Sequence, residues 1–165
     1  VLYYVAAKTW PLKKYGELLN NKAQVEYLYV RCLRLRQKAL ENAIKHRRTE
    51  DFGGVLVQWL DVSYLTAEYP PKGGVVQGLH EHFEKEGSLV TVGYDKERVI
   101  FRLNGGARSA GFAANAFIAE LKNSPGIVAS GGGHAAAASL RLKPGKLAAV
   151  LDCLEKKFRE TFGGS

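Results

Sequence analysis

Three consecutive glycines followed by a histidine, Gly131-Gly132-Gly133-His134, form the segment of this sequence best suited to ligand chemistry. Glycine residues adopt positive φ angles easily and let a ligand approach the backbone closely. Successive N–H groups in such a turn can form a nest that binds an anion, and His134 adds a side-chain hydrogen-bond donor. A flexible structural turn often has the same composition. Alone, the segment therefore supports either a phosphate-binding loop or a plain turn.

Arg108 and Ser109 form a second candidate, because they follow a Gly105-Gly106 loop and precede an alanine-rich stretch. We predict that this stretch is a helix ending near Asn123. An arginine at a loop-to-helix junction can bind a phosphate through two parallel hydrogen bonds, and the adjacent helix N-terminus offers unpaired N–H groups. The alternative is that Arg108 is a surface residue and Ser109 a helix cap.

Most of the net charge of +8 lies in one predicted helix, from about Lys22 to Arg48, which contains eight basic and two acidic residues. One face of this helix is apolar, and the opposite stripe includes Arg31, Arg34 and Lys38. Excess positive charge favours polyanions such as nucleic acid, although a solvated basic face needs no partner. Arg36 falls within the apolar face, so we expect it to be paired or to lie at an interface.

The elements that position these residues alternate between strands and helices. From residue 54 onward the pattern predicts the order β-α-β-β-α-β-α, with a hairpin turning at Asp95-Lys96. The triple glycine is predicted to be a loop before a strand from about Ala136 to Leu142, and Pro144-Gly145 is predicted to start a last helix. This order favours an α/β fold in which a mixed β-sheet is flanked by helices.

We divide the chain into two parts at the change of pattern after residue 50. Residues 1–50 comprise a predicted short N-terminal strand and the long amphipathic basic helix. Residues 51–165 comprise the predicted α/β domain.

Together, the two candidate motifs resemble the DHHA1 domain, the C-terminal module of the DHH phosphoesterase superfamily that includes RecJ-like and Cdc45-like proteins. The family pattern is approximately RS…GGGHxxAAG. Arg108-Ser109, Gly131 to His134 and Ala137-Ala138 match this pattern. Ser139 replaces the final glycine, and Ala135 stands where a basic residue is common.

The resemblance covers about Gly53 to Phe158 and implies a DHHA1-like fold, with the preceding helix similar to the connector between the DHH and DHHA1 domains. It implies that Arg108 and His134 hold substrate phosphates, supported by the amides of Gly131–Gly133. The implied ligand is nucleic acid, with single-stranded DNA favoured, in DNA replication or repair. Two alternatives stay open. One is a scaffold subunit of a replication complex with a partner such as GINS, and the other is a C-terminal fragment of an active DHH phosphoesterase or exonuclease.

The residues that hydrolysis would require do not form a recognisable group in the sequence. The family's manganese site depends on clustered aspartates and an Asp-His-His segment, whereas the aspartates of this chain are scattered, at Asp51, Asp61, Asp95 and Asp152. The triplet His80-Glu81-His82 is expected to be solvent-exposed, because successive residues on a helix point to different faces. We therefore expect no catalytic residue, metal or cofactor in this chain, with manganese relevant only if a DHH domain lies upstream.

Two cysteines, Cys32 and Cys153, lie far apart in apolar helical patterns and are expected to be reduced core residues. Reduced cysteines favour a cytoplasmic location. No apolar run has the length required to span a bilayer, so we expect no membrane partner.

Overall fold

The computed structural model describes residues 22–66, 69–124 and 126–163. Its first element is helix α1, Lys22–His46, which agrees with the predicted long helix except at its C-terminal end. The helix ends at His46 because the chain then enters strand β1, Arg48–Phe52, which the sequence pattern does not predict. Strand β1 spans the predicted boundary at residue 50, and the division of the chain there stays a prediction. The predicted N-terminal strand lies outside the described residues.

The remaining elements form a mixed α/β architecture. In chain order they are β2 (Val55–Asp61), α2 (Lys72–Phe83), β3 (Ser88–Tyr94), β4 (Arg98–Leu103), α3 (Gly105–Ser109), α4 (Ala114–Lys122), β5 (Val128–Gly133), β6 (Ala137–Leu142) and α5 (Leu147–Phe162). The six strands form one sheet in the order β1-β2-β3-β4-β6-β5. Strands β2 and β3 are parallel, with α2 between them in the chain, and the other pairs are antiparallel. The predicted fold class, a mixed sheet flanked by helices, is confirmed.

One face of the sheet packs against α4 and α5 through an aromatic core. Phe112 and Phe158 meet edge to face with ring centroids 4.8 Å apart, and Phe158 also contacts Trp59 of β2. On β4, the alternate residues Val99, Phe101 and Leu103 are buried in the same core. Because side chains alternate across a strand, the residues between them face the other side of the sheet.

The opposite face is covered by α2 and α1 only in part. Val76 and Leu79 of α2 are buried with Ala43 of α1 and with residues of β2 and β4. Helix α2 approaches β3 so closely that a Cβ at Gly93 would lie 2.2 Å from the Val76 side chain. Beyond α2, side chains of β5 and β6 on this face are exposed, including Ser139. The sheet therefore presents an open surface at its β6–β5 end.

The predicted alanine-rich helix ending near Asn123 is present as α4, whereas the predicted loop at Gly105-Gly106 instead starts the additional short helix α3. Gly111 separates them with a φ of 105°, a left-handed conformation that ends helices. Phe112, which follows it, is only 2% exposed and anchors the break in the aromatic core.

The prediction that the triple glycine is a loop is also wrong, since Gly131–Gly133 belong to the edge strand β5 and pair with β6. The last helix begins at Leu147, after the turn that contains Pro144-Gly145. Cys32 is buried as expected, whereas Cys153 is exposed, so the expectation of a core position is wrong for Cys153. None of the helices in the described ranges has the length and apolar character needed to cross a membrane.

Candidate functional site

The three glycines of strand β5 have different structural requirements. A Cβ at Gly131 would lie 2.8 Å from Leu140 Cβ, and one at Gly133 would lie 2.5 Å from the Ala137 carbonyl oxygen. Gly133 also has a φ of 139°, which side chains rarely allow. A Cβ at Gly132, in contrast, would have no atom within 4 Å. Gly131 and Gly133 are therefore required by close strand packing, whereas packing places no such requirement on Gly132.

His134 begins the tight turn that joins β5 to β6. Its N–H donates to the Ala137 carbonyl at 2.8 Å, and the Ala137 N–H donates back to the His134 carbonyl at 3.2 Å. At the tip of the turn, the Ala135 carbonyl accepts from the Ala114 N–H at 3.1 Å, and the Ala136 carbonyl accepts from the Leu103 N–H at 2.8 Å. The turn is thus held by neighbouring elements, while the His134 side chain is exposed.

Arg108 and Ser109 occupy the end of the short helix α3, and both are exposed. The expectation of a helix N-terminus beside Arg108 is wrong, because Asn104 caps α3 at its start, accepting from the Ala107 N–H at 3.1 Å. Ser109 consequently does not serve as a helix cap. Asn104 also accepts from the Leu89 N–H and donates to the Glu84 carbonyl, which ties α3 to β3 and α2.

The structure brings the two predicted motifs to the same end of the sheet. The hydrogen bond from Ala114 to the Ala135 carbonyl connects the start of α4, just after Arg108-Ser109, to the turn that begins at His134. Within the described ranges, neither the Arg108 side chain nor the His134 side chain makes a hydrogen bond or ion pair. A lysine lies nearby, since the Lys122 ammonium donates to the Gly131 carbonyl. The roles of these residues in phosphate binding stay predictions.

An arginine-rich groove, which the sequence motifs did not indicate, lies on the open face of the sheet. It has a volume of about 330 Å³ and is lined by Gly73, Arg98, Ile100, Arg102, Gly132, Gly133, Ala137, Ala138 and Ser139. We call this surface the arginine groove. The alternation Arg98-Val99-Ile100-Phe101-Arg102 in the predicted hairpin strand is the sequence signal that both arginines share a face.

Arg102 is the more constrained of the two arginines in the groove. Its Nε donates to the Gln77 side-chain oxygen of α2, and its Nη1 donates to the Phe101 carbonyl at 2.7 Å. Burial lowers the pKa of Arg102 from its usual value, because desolvation disfavours the charged guanidinium. Arg98 is exposed, so the groove combines one oriented guanidinium with one free to move.

The predicted basic stripe of α1 is present on the surface, with Arg31, Arg34 and Lys38 exposed. On the apolar face of α1, however, only Cys32, Ala39 and Ala43 are buried. Large apolar side chains stay exposed on the same helix: Tyr27, Tyr29, Val30 and Leu33. Arg36 lines a cleft between α1 and α2 together with Leu40 and Pro70.

The expectation that His80 is solvent-exposed is wrong, since only 3% of its surface is accessible. Its Nδ1 lies 3.0 Å from the hydroxyl of Thr91, which donates to the Gln58 side-chain oxygen at 3.5 Å. Burial lowers the pKa of His80 below its usual value, because the charged imidazolium is desolvated. His82 is exposed as expected. His80 therefore belongs to a buried polar cluster beneath α2.

Among the described residues, no group of three or more histidines, cysteines, aspartates and glutamates lies close enough to hold a metal ion. Three of the aspartates serve local structure. Asp51 and Asp61 accept from the backbone N–H groups of Gly54 and Ser63, and Asp95 pairs with Lys72 at 2.7 Å. The donor set of the described residues therefore does not fit a manganese site.

The family model of the DHHA1 domain matches residues 62–160. The chain belongs to the DHHA1 family. The resemblance drawn from the motifs is thereby confirmed, and the DHHA1 match includes Arg108, Ser109 and the segment from Gly131 to His134. The matched region is the DHHA1 module of the DHH superfamily and not its catalytic DHH domain.

Solved structures show the same fold. The DHH domain of a member of the s1p family of ribosomal proteins has a TM-score of 0.75 at 24% identity, over 88% of this chain and 35% of that one. RecJ from Thermus thermophilus has a TM-score of 0.53 at 17% identity, over 84% of this chain and 20% of that one. An exopolyphosphatase-related protein from Bacteroides fragilis has a TM-score of 0.52 at 14% identity, over 78% of this chain and 35% of that one. The DHHA1 chain thus spans about a third or less of these structures. No curated protein sequence matches the chain.

Proposed function

We propose that this DHHA1 chain binds nucleic acid, preferably single-stranded DNA, at the end of the sheet formed by His134, the β5 glycines and Arg108. The proposal is supported chiefly by one observation: Arg108 and His134 are exposed donors without a partner among the described residues, on segments joined by the Ala114–Ala135 hydrogen bond. Unpaired donors of this kind are free to bind phosphate oxygens. Strand β5 is an edge strand of the sheet, so its outer backbone groups are also open to a ligand.

Charge supports a polyanionic ligand. The chain has a net charge of +8, and Lys122 adds a cation beside Gly131. Arg31, Arg34 and Lys38 on α1 supply a further basic surface on which a longer strand finds phosphate contacts. Each phosphate contact with a single strand changes the slope of log K against log salt by about −0.7, so affinity falls steeply with salt.

In this proposal the chain holds nucleic acid and does not cleave it. Its cellular role is DNA replication or repair in the cytoplasm, and any hydrolysis depends on a DHH domain supplied elsewhere. If such a DHH domain is present, Arg108 and His134 complete an active site whose metal the DHH domain holds. The isolated chain is then expected to bind an oligonucleotide without shortening it, even when Mn²⁺ is added.

Binding of a fluorescent oligo(dT) strand, followed by anisotropy, tests the proposal. Arg108→Ala and His134→Ala are each expected to weaken binding about tenfold, the loss of roughly one charge-assisted hydrogen bond. Both variants keep the wild-type unfolding temperature, because neither side chain has a partner to lose among the described residues. Lys156→Ala removes a charge from α5, on the other face of the sheet, and serves as the control. Wild-type affinity in both site variants contradicts the site assignment.

A second function, a protein-interaction scaffold in a replication complex such as one containing GINS, is favoured by the exposed apolar side chains of α1. Tyr27 is 64% exposed, and Leu33 is 42% exposed. Apolar side chains clustered on one surface commonly mark a protein interface. Co-elution of the wild-type chain with purified GINS, lost in Leu33→Glu, supports this function. Failure of the wild-type chain to co-elute rejects it.

A further inference from the structure

The strand register places the charged residues of the open sheet face in a fixed pattern. Arg98 of β4 lies directly opposite Arg141 of β6, Ile100 opposite Ser139, and Arg102 opposite Ala137. On the outer side, Ser139 lies opposite Gly132 of β5. Arg98 and Arg102 are four residues apart on one strand, which separates their Cα atoms by about 13 Å at roughly 3.3 Å per residue.

The directly opposed pair Arg98 and Arg141 lacks a neutralising partner among the described residues. Like charges directly across an antiparallel pair destabilise a sheet, and neither guanidinium makes an ion pair within the described ranges. The nearby carboxylates are otherwise placed: Asp95 pairs with Lys72, and Glu97 lies beside Arg141 without forming a salt bridge. Such a pair is stabilised when an anion bridges it.

Beside the buried Ile100 of β4, the floor of the groove between the arginines consists of small residues. Ser139 and Ala137 lie on β6, and the adjacent Gly132 has no side chain although a Cβ there would meet nothing within 4 Å. Glycine in a strand weakens it, and in such a position it often marks the close approach of another backbone or a ligand. The small floor and the basic walls together leave room for a phosphodiester chain.

We propose that the arginine groove, together with Arg141 at its end, is a second binding subsite that holds further phosphates of the same single strand. This inference rests on the proposed function: Arg108 and His134 bind one phosphate, and Arg98, Arg102 and Arg141 bind phosphates farther along the strand. Arg102 is oriented by Gln77 and by the Phe101 carbonyl, so it holds one fixed position. Arg98 and Arg141 form the pair that a phosphate bridges.

The test uses the single variants Arg98→Ala and Arg141→Ala, each matched in lost charge by the control Lys156→Ala, and the double variant Arg98→Ala/Arg141→Ala, all in the whole chain. Kd for a labelled oligo(dT) strand is measured by anisotropy between about 50 and 200 mM salt. We expect the double variant to bind at least about tenfold more weakly, with a salt slope smaller by about 0.7 to 1.4. Its unfolding temperature should equal or exceed that of the wild type, because a like-charge pair has been removed.

The outcomes separate this inference from the proposed function. If the wild-type chain does not bind oligo(dT), the proposed function is rejected, and the subsite with it. If Arg108→Ala and His134→Ala weaken binding but the double variant keeps the wild-type affinity and salt slope, only the subsite is rejected. Weaker binding in the single variants and in the double variant, with Lys156→Ala unchanged, supports both.

Discussion

Replacing the three glycines of strand β5 one at a time by alanine separates the needs of the fold from those of the ligand. Gly131 and Gly133 lie against β6, whereas Gly132 faces open space at the arginine groove. At Gly131 and Gly133, an added methyl group therefore tests whether a side chain fits against β6. At Gly132 it tests whether a ligand still reaches the groove.

The expected magnitudes follow from the distances. In Gly133→Ala the methyl group would lie 2.5 Å from the Ala137 carbonyl and 2.6 Å from Ala138 Cα, at a φ of 139°. In Gly131→Ala it would lie 2.8 Å from Leu140 Cβ. Overpacking of this kind costs about 1–3 kcal/mol. In Gly132→Ala nothing is displaced, and the smaller entropy of the unfolded chain stabilises the protein by about 0.4–1 kcal/mol.

Thermal unfolding and oligo(dT) binding are measured on all three variants. For a chain of this size, 1 kcal/mol corresponds to about 2–4 °C in Tm. Gly131→Ala and Gly133→Ala should therefore lower Tm by about 2–12 °C. Gly132→Ala should keep or raise Tm while weakening binding. Loss of stability in Gly132→Ala equal to that of Gly133→Ala, or undiminished binding by Gly132→Ala, would refute the reasoning.

Two further predictions concern stability. Asn104→Ala removes the cap of α3 and the links to Leu89 and Glu84, so we expect a loss of about 2–4 kcal/mol in urea unfolding. Asn104→Asp keeps the acceptor and should lose less, and equal losses would contradict the role of that acceptor. The pKa of His80 is held below its usual 6.5 by burial, so the unfolded state binds more protons below that pH. The free energy of unfolding should thus fall as pH drops below 6.5. His80→Gln should reduce this fall and the exposed control His82→Gln should keep it, whereas parallel pH profiles of His80→Gln and wild type would contradict the assignment.

Where hydrophobic periodicity is strong, the sequence predicts the elements well. Helix α1 is predicted to within two residues of its C-terminal end, and the β3–β4 hairpin turns at Asp95 as expected. In both cases the pattern is local, because the spacing of the apolar residues is enough to identify the element: i, i+4 for a helix and i, i+2 for a strand. The DHHA1 motifs can likewise be recognised from the sequence alone, because they depend only on the types and order of the residues.

The errors arise where tertiary contacts override local preference. The glycine run has the composition of a loop, yet it pairs with β6, because Ala138 and Leu140 leave no room for side chains at Gly133 and Gly131. His80 has the sequence context of a surface residue, yet α2 covers the polar residues Thr91 and Gln58 and buries it with them. Strand β1 is short and polar, and pairing with β2 determines its conformation.

The central claim, that nucleic acid binds at the glycine edge of the sheet, is tested most directly by a ¹H–¹⁵N NMR titration of the chain with unlabelled oligo(dT). We predict that the largest shift changes fall on the amides of Gly132, His134 and Arg108, with further changes at Arg98. Changes confined to α1, or none at saturating oligonucleotide, would contradict the claim.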